Sequence, residues 1–283
     1  MIEFKNVTKS YGKTKALCDF SLTLAEDGIY CLLGRNGAGK TTFMNLISGK
    51  IVASAGEVVV CGKKVDSLNM PENVRYIEAA KPQFNMRVEE LLALAKELDE
   101  KFDAEFAEQA VKKFRIDKKK KYNALSFGMK TMVTTVLSLA SNDDIVLLDE
   151  PVLGFDPVMR KEFYELLTLS FEKHPRIIVV STHLIDEIAN VAHKIVMIDG
   201  GKLILNESAE VIAEKAYKIS GTKDAVDAVS AKLNVLATEN IGKFKVAYIY
   251  DKRIAAFNNI DVEDLSLQDL FIKFAECGGE ENE

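Results

Sequence analysis

The stretch that most constrains the fold of this chain is Gly34-Arg35-Asn36-Gly37-Ala38-Gly39-Lys40-Thr41-Thr42, which follows the apolar run Ile29-Tyr30-Cys31-Leu32-Leu33. It reads as a buried strand feeding a glycine-rich turn that opens a helix, continued by Phe43-Met44-Asn45-Leu46-Ile47. The spacing G-x-x-x-x-G-K-T lets successive backbone N–H groups curl inward around phosphate oxygens, and the helix behind adds the positive end of its dipole. In that arrangement Lys40 reaches the β and γ phosphates and Thr41 holds Mg²⁺. The chain is therefore expected to bind a nucleoside triphosphate through residues 34–42.

A chain of 283 residues, 48% hydrophobic and 28% charged, can bury a sizeable core and carry one large domain plus a small one. Its 37 basic and 43 acidic residues leave a net charge of −6, which offers no general attraction to nucleic acid or to an anionic membrane. No nucleic-acid partner is expected. The segment Met1-Ile2-Glu3-Phe4-Lys5-Asn6-Val7 alternates like a half-buried strand and has no apolar signal core, so a cytoplasmic location is expected. Apolar runs such as Ile145 to Leu148 and Ile177 to Val180 fall far short of the ~20 residues that cross a bilayer. If the protein works at a membrane, another chain does the spanning. Cys18, Cys31, Cys61 and Cys277 lack C-x-x-C spacing, which argues for small buried hydrophobes rather than a zinc site or redox pair.

Up to about Val65 the pattern is of short strands turning at Tyr11-Gly12-Lys13 and Asp27-Gly28, with a hairpin over Gly56 to Val65. From Val88 the period becomes helical: Val88, Leu91, Leu92, Ala95 and Leu98 share a face, continued by Phe102, Phe106, Ala110 and Phe114. The run Lys118 to Lys121 reads as a solvated loop. From Ile145 unalternated apolar strands alternate with helices, over roughly Pro157 to Phe171 and again from Leu184, which indicates a parallel sheet covered on both faces. Ile195 to Ile204 reads as a hairpin. After about Ser208 come a strand at Ala216 to Ser220, a helix over Thr222 to Leu233, an alternating strand through Phe244 to Tyr250, and a helix over Leu267 to Glu276. That predicts a small α+β appendage ending in a disordered acidic tail over Gly278 to Glu283.

A phosphate loop needs a second motif to supply the metal and the base. Ile145-Val146-Leu147-Leu148-Asp149-Glu150 provides carboxylates at the carboxyl end of a buried parallel strand, where ligands of open α/β sheets bind. Asp149 is placed to hold Mg²⁺ through its water shell. Glu150, one residue further, can polarise a water for in-line attack on the γ-phosphorus. Ahead of it, Leu125-Ser126-Phe127-Gly128-Met129-Lys130 offers a serine N-cap to an apolar helix over Met132 to Leu139.

With that segment placed between a phosphate loop and an aspartate-glutamate strand, the chain resembles the ATP-binding subunits of ABC transporters, whose signature has the form L-S-G-G-Q. Tyr11 falls at the adenine-stacking aromatic position, Pro151-Val152-Leu153-Gly154-Phe155-Asp156 at the D-loop, and Ser181-Thr182-His183 at the switch histidine. The resemblance runs from Met1 to about Asn206 with five motifs in the family's order. It implies an α/β fold of the P-loop NTPase class in its ABC ATPase form: a mixed sheet core with an antiparallel part and a helical subdomain at about 84–140. Residues 1–207 would be the ATP-binding domain and 208–283 the small C-terminal α+β extension.

The resemblance also implies a mechanism. Two such domains pack head to tail, so that ATP and Mg²⁺ held by Lys40 and Thr41 of one chain are closed over by Ser126 and Gly128 of the other, with Asp156 beside them. His183 would bond the γ-phosphate and position Glu150 and the attacking water. His174 and His193 have no such context and receive no role. The implied partners are a second ATP-binding subunit, identical or different, and a membrane-spanning permease that holds this chain at the inner face of the membrane.

Two departures from the family pattern stand out. Phe127 and Met129 replace the usual glycine and glutamine of the signature, which bears on turnover more than on geometry because Ser126 and Gly128 are retained. After Val74-Arg75-Tyr76-Ile77 the family's glutamine is replaced by Glu78 or Ala79, with Gln83 out of register; Glu78 could serve as a contact to Mg²⁺ or water. Beyond it, Phe84 and Met86 of Pro82-Gln83-Phe84-Asn85-Met86 either fold back on the helical subdomain or line a groove for a short helix of the membrane subunit.

The resulting expectation is an ATP-hydrolysing subunit that powers export of a peptide, drug or lipid-like substrate through a separate chain. An importer ATPase and a catalytically impaired partner in a heterodimer are the alternatives. A GTPase is discounted, because Lys63-Lys64-Val65-Asp66 lacks the first residue of an N/T-K-x-D guanine reader.

Overall fold

The computed structural model describes residues 1–79, 83–255 and 260–277. Strands β1 (Ile2–Tyr11) and β2 (Thr14–Leu24) form an antiparallel hairpin, and β3 (Gly28–Leu33), buried at every position, runs into the phosphate loop and α1 (Lys40–Ile47). Strand β4 (Ala55–Val60) returns antiparallel to β1, followed by the short β5 (Lys63–Lys64). The four make a sheet of order β2-β1-β4-β5.

Next come β6 (Val74–Glu78), α2 (Val88–Leu98), α3 (Ala104–Lys113), a 3₁₀ turn at Tyr122–Ala124 and α4 (Phe127–Ala140). The helical stripe expected to run unbroken from Val88 to Phe114 is interrupted: Leu98 is exposed, and Phe102 is buried from a turn between the helices. The cause is local. Asp99 accepts a hydrogen bond from Lys101 N (2.9 Å) and Asp103 caps α3 through Phe106 N (2.9 Å), and both bonds compete with continuing the helix.

The chain then alternates through β7 (Ile145–Asp149), α5 (Pro157–Lys173), β8 (Ile177–Ser181), α6 (Ile185–Ala189), β9 (Lys194–Asp199) and β10 (Lys202–Ser208). These strands join β3 and β6 in a six-stranded sheet of order β10-β9-β3-β8-β7-β6, parallel except for the terminal β9–β10 hairpin. The run of apolar residues in β3, β7 and β8 is thereby explained, because both faces of the sheet are covered. On one face α1 lies between this sheet and the antiparallel one, with Phe43 stacked on Phe4 at 4.7 Å among Tyr30, Ile145 and Leu147. Burial of an aromatic side chain such as Phe43 is worth roughly 1.5–3 kcal/mol. The other face packs against α4, α5 and the helical region through Val146, Leu148, Met132 and Phe163.

Beyond α7 (Ala209–Lys215), strands β11 (Ala216–Thr222), β12 (Val235–Ile241), β13 (Phe244–Tyr250) and β14 (Ile260–Asp264), with helices α8 (Lys223–Ser230) and α9 (Leu267–Cys277), form an antiparallel sheet of order β12-β13-β11-β14. β12 and β14 were not evident in the sequence: β12 is half polar, and β14 is short and flanks the sheet. Tyr217, Ile219, Val226, Ala247 and Ile249 form a core of their own, whereas Leu265 and Leu270 join the main one. The expected acidic tail over 278–283 lies outside the described residues. Among the described residues no helix is long and apolar enough to cross a membrane.

Candidate functional site

The carboxyl end of the parallel sheet gathers most of the expected site residues. The phosphate loop leaves β3 through Gly34, whose missing side chain is required: a Cβ there would lie 2.5 Å from the carbonyl oxygen of Ile198. Gly39 has φ 112° and packs against the Ala16 carbonyl of β2 (2.6 Å from an added Cβ), so no other residue fits the end of the loop. Arg35, Asn36 and Gly37 are exposed, Ala38 is buried, and Phe43 N donates to Gly39 O (2.8 Å) to start α1. Lys40 Nζ donates to the carbonyls of Gly34 (2.6 Å) and Arg35 (3.2 Å), folding back over the loop it is expected to serve. Thr42 is buried beneath it.

Asp149, the last residue of β7, receives Thr41 Oγ1 at its Oδ2 (2.9 Å) and Ser181 Oγ at its Oδ1. The two motifs, far apart in the chain, are joined because β3 and β7 both pair with β8. Glu150 has φ 51°, a left-handed backbone that a residue with a Cβ adopts only at a cost, here offset by bonds from its N–H to Ser181 O (3.1 Å) and Oγ (3.2 Å). The turn aims the Glu150 side chain at His183, whose Nδ1 lies 2.9 Å from Oε2. An ionised carboxylate only accepts, so Nδ1 carries the proton in this pair. His183 is exposed and Glu150 is not.

Glu78 ends β6 in register with Asp149, which brings it to the same edge as expected, but it is engaged with Lys50, at 3.1 Å. Burial pushes the Lys50 ammonium below its ordinary range, against the opposing pull of Asp149. Tyr76, two residues before Glu78, donates its hydroxyl to Asp149 Oδ2 (3.3 Å); burial, and then the Asp149 charge, hold that phenol well above its ordinary range.

Ser126, Gly128 and Asp156 form a separate group. Ser126 Oγ caps α4 by accepting from Met129 N (3.3 Å), and Asp156 caps α5 by accepting from Met159 N (2.9 Å). An added Cβ on Gly128 would sit 2.8 Å from Gly154 O, so the two helix starts are pressed together, with Phe127 against Gly154. Among the described residues no hydrogen bond joins this group to the phosphate loop. Tyr11 is exposed near the tip of the β1–β2 hairpin, with Lys9 Nζ 5.3 Å from its ring centroid. Phe84 and Met86 are half-buried against the main core, Phe84 edge-on to Tyr122 at 5.2 Å, so both fold back on the helical subdomain, and Phe84 also lines the groove beside it; Pro82 lies outside the described residues. Beside them a groove of about 410 Å³ is lined by Phe84, Leu91, Leu94, Ala95 and Leu98.

Sequence reasoning missed Tyr76, Lys50 and the bond from Ser181. The alternation Val74, Tyr76, Glu78 was the available signal, since it puts Tyr76 on the face of β6 that meets Asp149. Among the described residues no three His, Cys, Asp or Glu side chains cluster as a metal site.

Residues 17–153 match the family described as ABC transporter. The chain is 27% identical to the ABC transporter ATP-binding protein YtrB of Bacillus subtilis, over 99% of each chain. It is 30% identical to the Nod factor export ATP-binding protein I of Burkholderia lata, over 75% of this chain and 72% of that one. The lantibiotic transport ATP-binding protein SrtF of Streptococcus pyogenes is 27% identical over 73% of this chain and 90% of its own. Among solved structures, an ATP-binding subunit of an ABC transporter superposes with a TM-score of 0.66 at 23% identity, covering 75% of this chain and 92% of that one. A dimeric ATP-binding cassette in a post-hydrolysis state with ADP and Pi gives 0.63 at 23% identity, covering 74% and 99%. At these identities the structures speak for the fold, which is the α/β class expected from the sequence.

Proposed function

This chain belongs to the ATP-binding subunits of the ABC transporter family, and from that membership we propose that it hydrolyses MgATP in a head-to-tail dimer to drive export through a separate membrane-spanning chain. The observation that carries the reading is the convergence of Lys40, Thr41, Asp149, Glu150 and His183 at one sheet edge, joined by the Thr41–Asp149 and His183–Glu150 contacts.

Lys40 is free to trade two backbone carbonyls for the β and γ phosphates, a charge-assisted exchange that favours the nucleotide. Thr41 and Asp149 present hard oxygen donors already 2.9 Å apart, the set that suits Mg²⁺. A divalent cation held there would supply charge neutralisation for the phosphate oxygens. Glu78 sits at the same edge with its Oε1 paired to Lys50, so a contact to that cation or its water competes with Lys50 for the carboxylate. Glu150 accepts the proton of the attacking water, and His183 orients Glu150 through Nδ1–H and, with its second ring nitrogen also protonated, donates to the γ-phosphate. Ser126 and Gly128, at the start of α4, close over the partner's nucleotide with Asp156 beside them, so the separation of the two groups within one chain is what a composite site requires. Tyr11 stacks on the adenine.

The groove along α2 is the seat for the permease, which keeps the chain at the inner face of the membrane. Export as the direction is supported by the names of the Nod factor and lantibiotic relatives. A second reading, a partner impaired in turnover, is favoured by Phe127 and Met129 in the signature. One experiment separates them: light scattering and phosphate release on the wild type and Glu150→Gln with MgATP. Nucleotide-dependent dimers and turnover lost only in the variant support the ATPase; equal, negligible turnover in both supports the impaired partner.

A further inference from the structure

Strand β6 places Val74, Tyr76 and Glu78 on the face that α1 covers, and β7 places Ile145, Leu147 and Asp149 on the same face. Tyr76 pairs in register with Leu147, two residues short of Asp149 on the same face, and its hydroxyl reaches Asp149 Oδ2 at 3.3 Å. That is the oxygen that also receives Thr41. Lys50, just beyond α1, lays its ammonium 4.0 Å from the centroid of the Tyr76 ring and simultaneously pairs with Glu78. The ring is therefore held between the sheet and a cation, a contact that favours a fixed ring orientation. Ser181 restrains the other Asp149 oxygen, so Tyr76 completes a set of donors that leaves the carboxylate one orientation.

We propose that Tyr76 is the positioning residue that orients Asp149 for the divalent cation, and that Lys50 fixes the Tyr76 ring for this purpose. The inference rests on the reading of Thr41 and Asp149 as the cation-holding pair. With Thr41 given over to a cation, Asp149 would lose the threonine bond it now accepts, and the tyrosine hydroxyl would remain to hold Oδ2 in place.

The test is Mn²⁺ binding to the ATP complex, followed by the paramagnetic signal of free Mn²⁺, for the wild type, Tyr76→Phe and Lys50→Met. Tyr76→Phe keeps the ring and its packing and removes only the hydroxyl. The expected result is a roughly tenfold weaker Mn²⁺ affinity for Tyr76→Phe, from the loss of a hydrogen bond to a charged group. Lys50→Met should weaken it in the same direction by a smaller factor, and metal-free ATP affinity should stay at the wild-type value in both. In ATPase assays the Mg²⁺ concentration for half-activation should rise with kcat at saturating Mg²⁺ within about twofold, a split that a general loss of structure does not produce. Wild-type Mn²⁺ affinity in Tyr76→Phe overturns the inference and leaves the site reading standing. A wild type that binds ATP but no Mn²⁺ overturns both. Should Tyr76→Phe fold poorly, Lys50→Met with unchanged Mn²⁺ affinity overturns the clamp.

Discussion

His183 Nδ1 lies 2.9 Å from the Glu150 carboxylate, and the Glu150 backbone holds the left-handed conformation that puts it there. A strained residue that is also hydrogen-bonded through its side chain is a site where geometry has been kept at the expense of stability.

Replacing Glu150 by glutamine keeps the size and the contact to His183 but removes the proton acceptor. Steady-state phosphate release should fall by about 10²–10⁴-fold, the usual range for loss of a general base, while ATP affinity by calorimetry is retained. His183→Ala should reduce turnover in the same direction with ATP still bound.

Lys40→Ala should weaken ATP binding by about 10–100-fold, the loss of a charge-assisted contact. Equal affinity in wild type and variant by calorimetry would remove the phosphate-loop assignment. Stability should change little, because Lys40 now bonds only two carbonyls of its own loop.

Gly128→Ala separates the two halves of the proposed composite site. Its Cβ would collide with Gly154 O at 2.8 Å and push the start of α4 away from the D-loop. The expected outcome is a monomer that binds ATP normally but no longer dimerises with MgATP in light scattering.

Arg176 is a structural counterpart. Its buried guanidinium donates to Leu139 O (2.9 Å) at the end of α4 and to Ser170 O (3.3 Å) and His174 O (2.8 Å) at the end of α5. Arg176→Met removes these three bonds; Leu139 O keeps Ser170 Oγ (3.3 Å) and Ser170 O keeps His174 N (3.1 Å), so the loss should cost about 1–3 kcal/mol in urea unfolding. Lysine should not rescue, because one ammonium lacks the planar fork that spans both helix ends.

Asp103 carries a pH signature. Its burial disfavours the charge, but Lys173 and the Phe106 N–H outweigh that and hold the carboxyl below its ordinary range. The stabilisation is present above the unfolded carboxyl value of about 3.9 and is lost as pH falls through the depressed folded value. The stability gap between wild type and Asp103→Asn should therefore be constant near neutrality and close in acid, as followed by thermal melts from pH 7 to pH 2.

The chemistry of the site was legible in the chain because each motif is local. Gly34 to Thr42 bend and bind through backbone torsions and neighbouring N–H groups, Asp149 and Glu150 follow directly on their strand, and Ser126 caps the helix it opens; spacing alone specifies such arrangements. The parallel sheet was legible for the same reason, from unalternated apolar runs at Ile145 to Leu148 and Ile177 to Val180. Other features depend on partners distant in sequence. Tyr76 meets Asp149 only because β6 pairs with β7, Lys50 meets Glu78 only because α1 ends over β6, and Arg176 joins helices whose ends the sequence does not place together. β12 and β14 are strands by virtue of the neighbours that complete their ladders, not of their own alternation. Local torsion and capping are determined by the sequence itself, whereas register and interhelix contact are determined by packing, which selects among pairings that the sequence alone leaves equivalent.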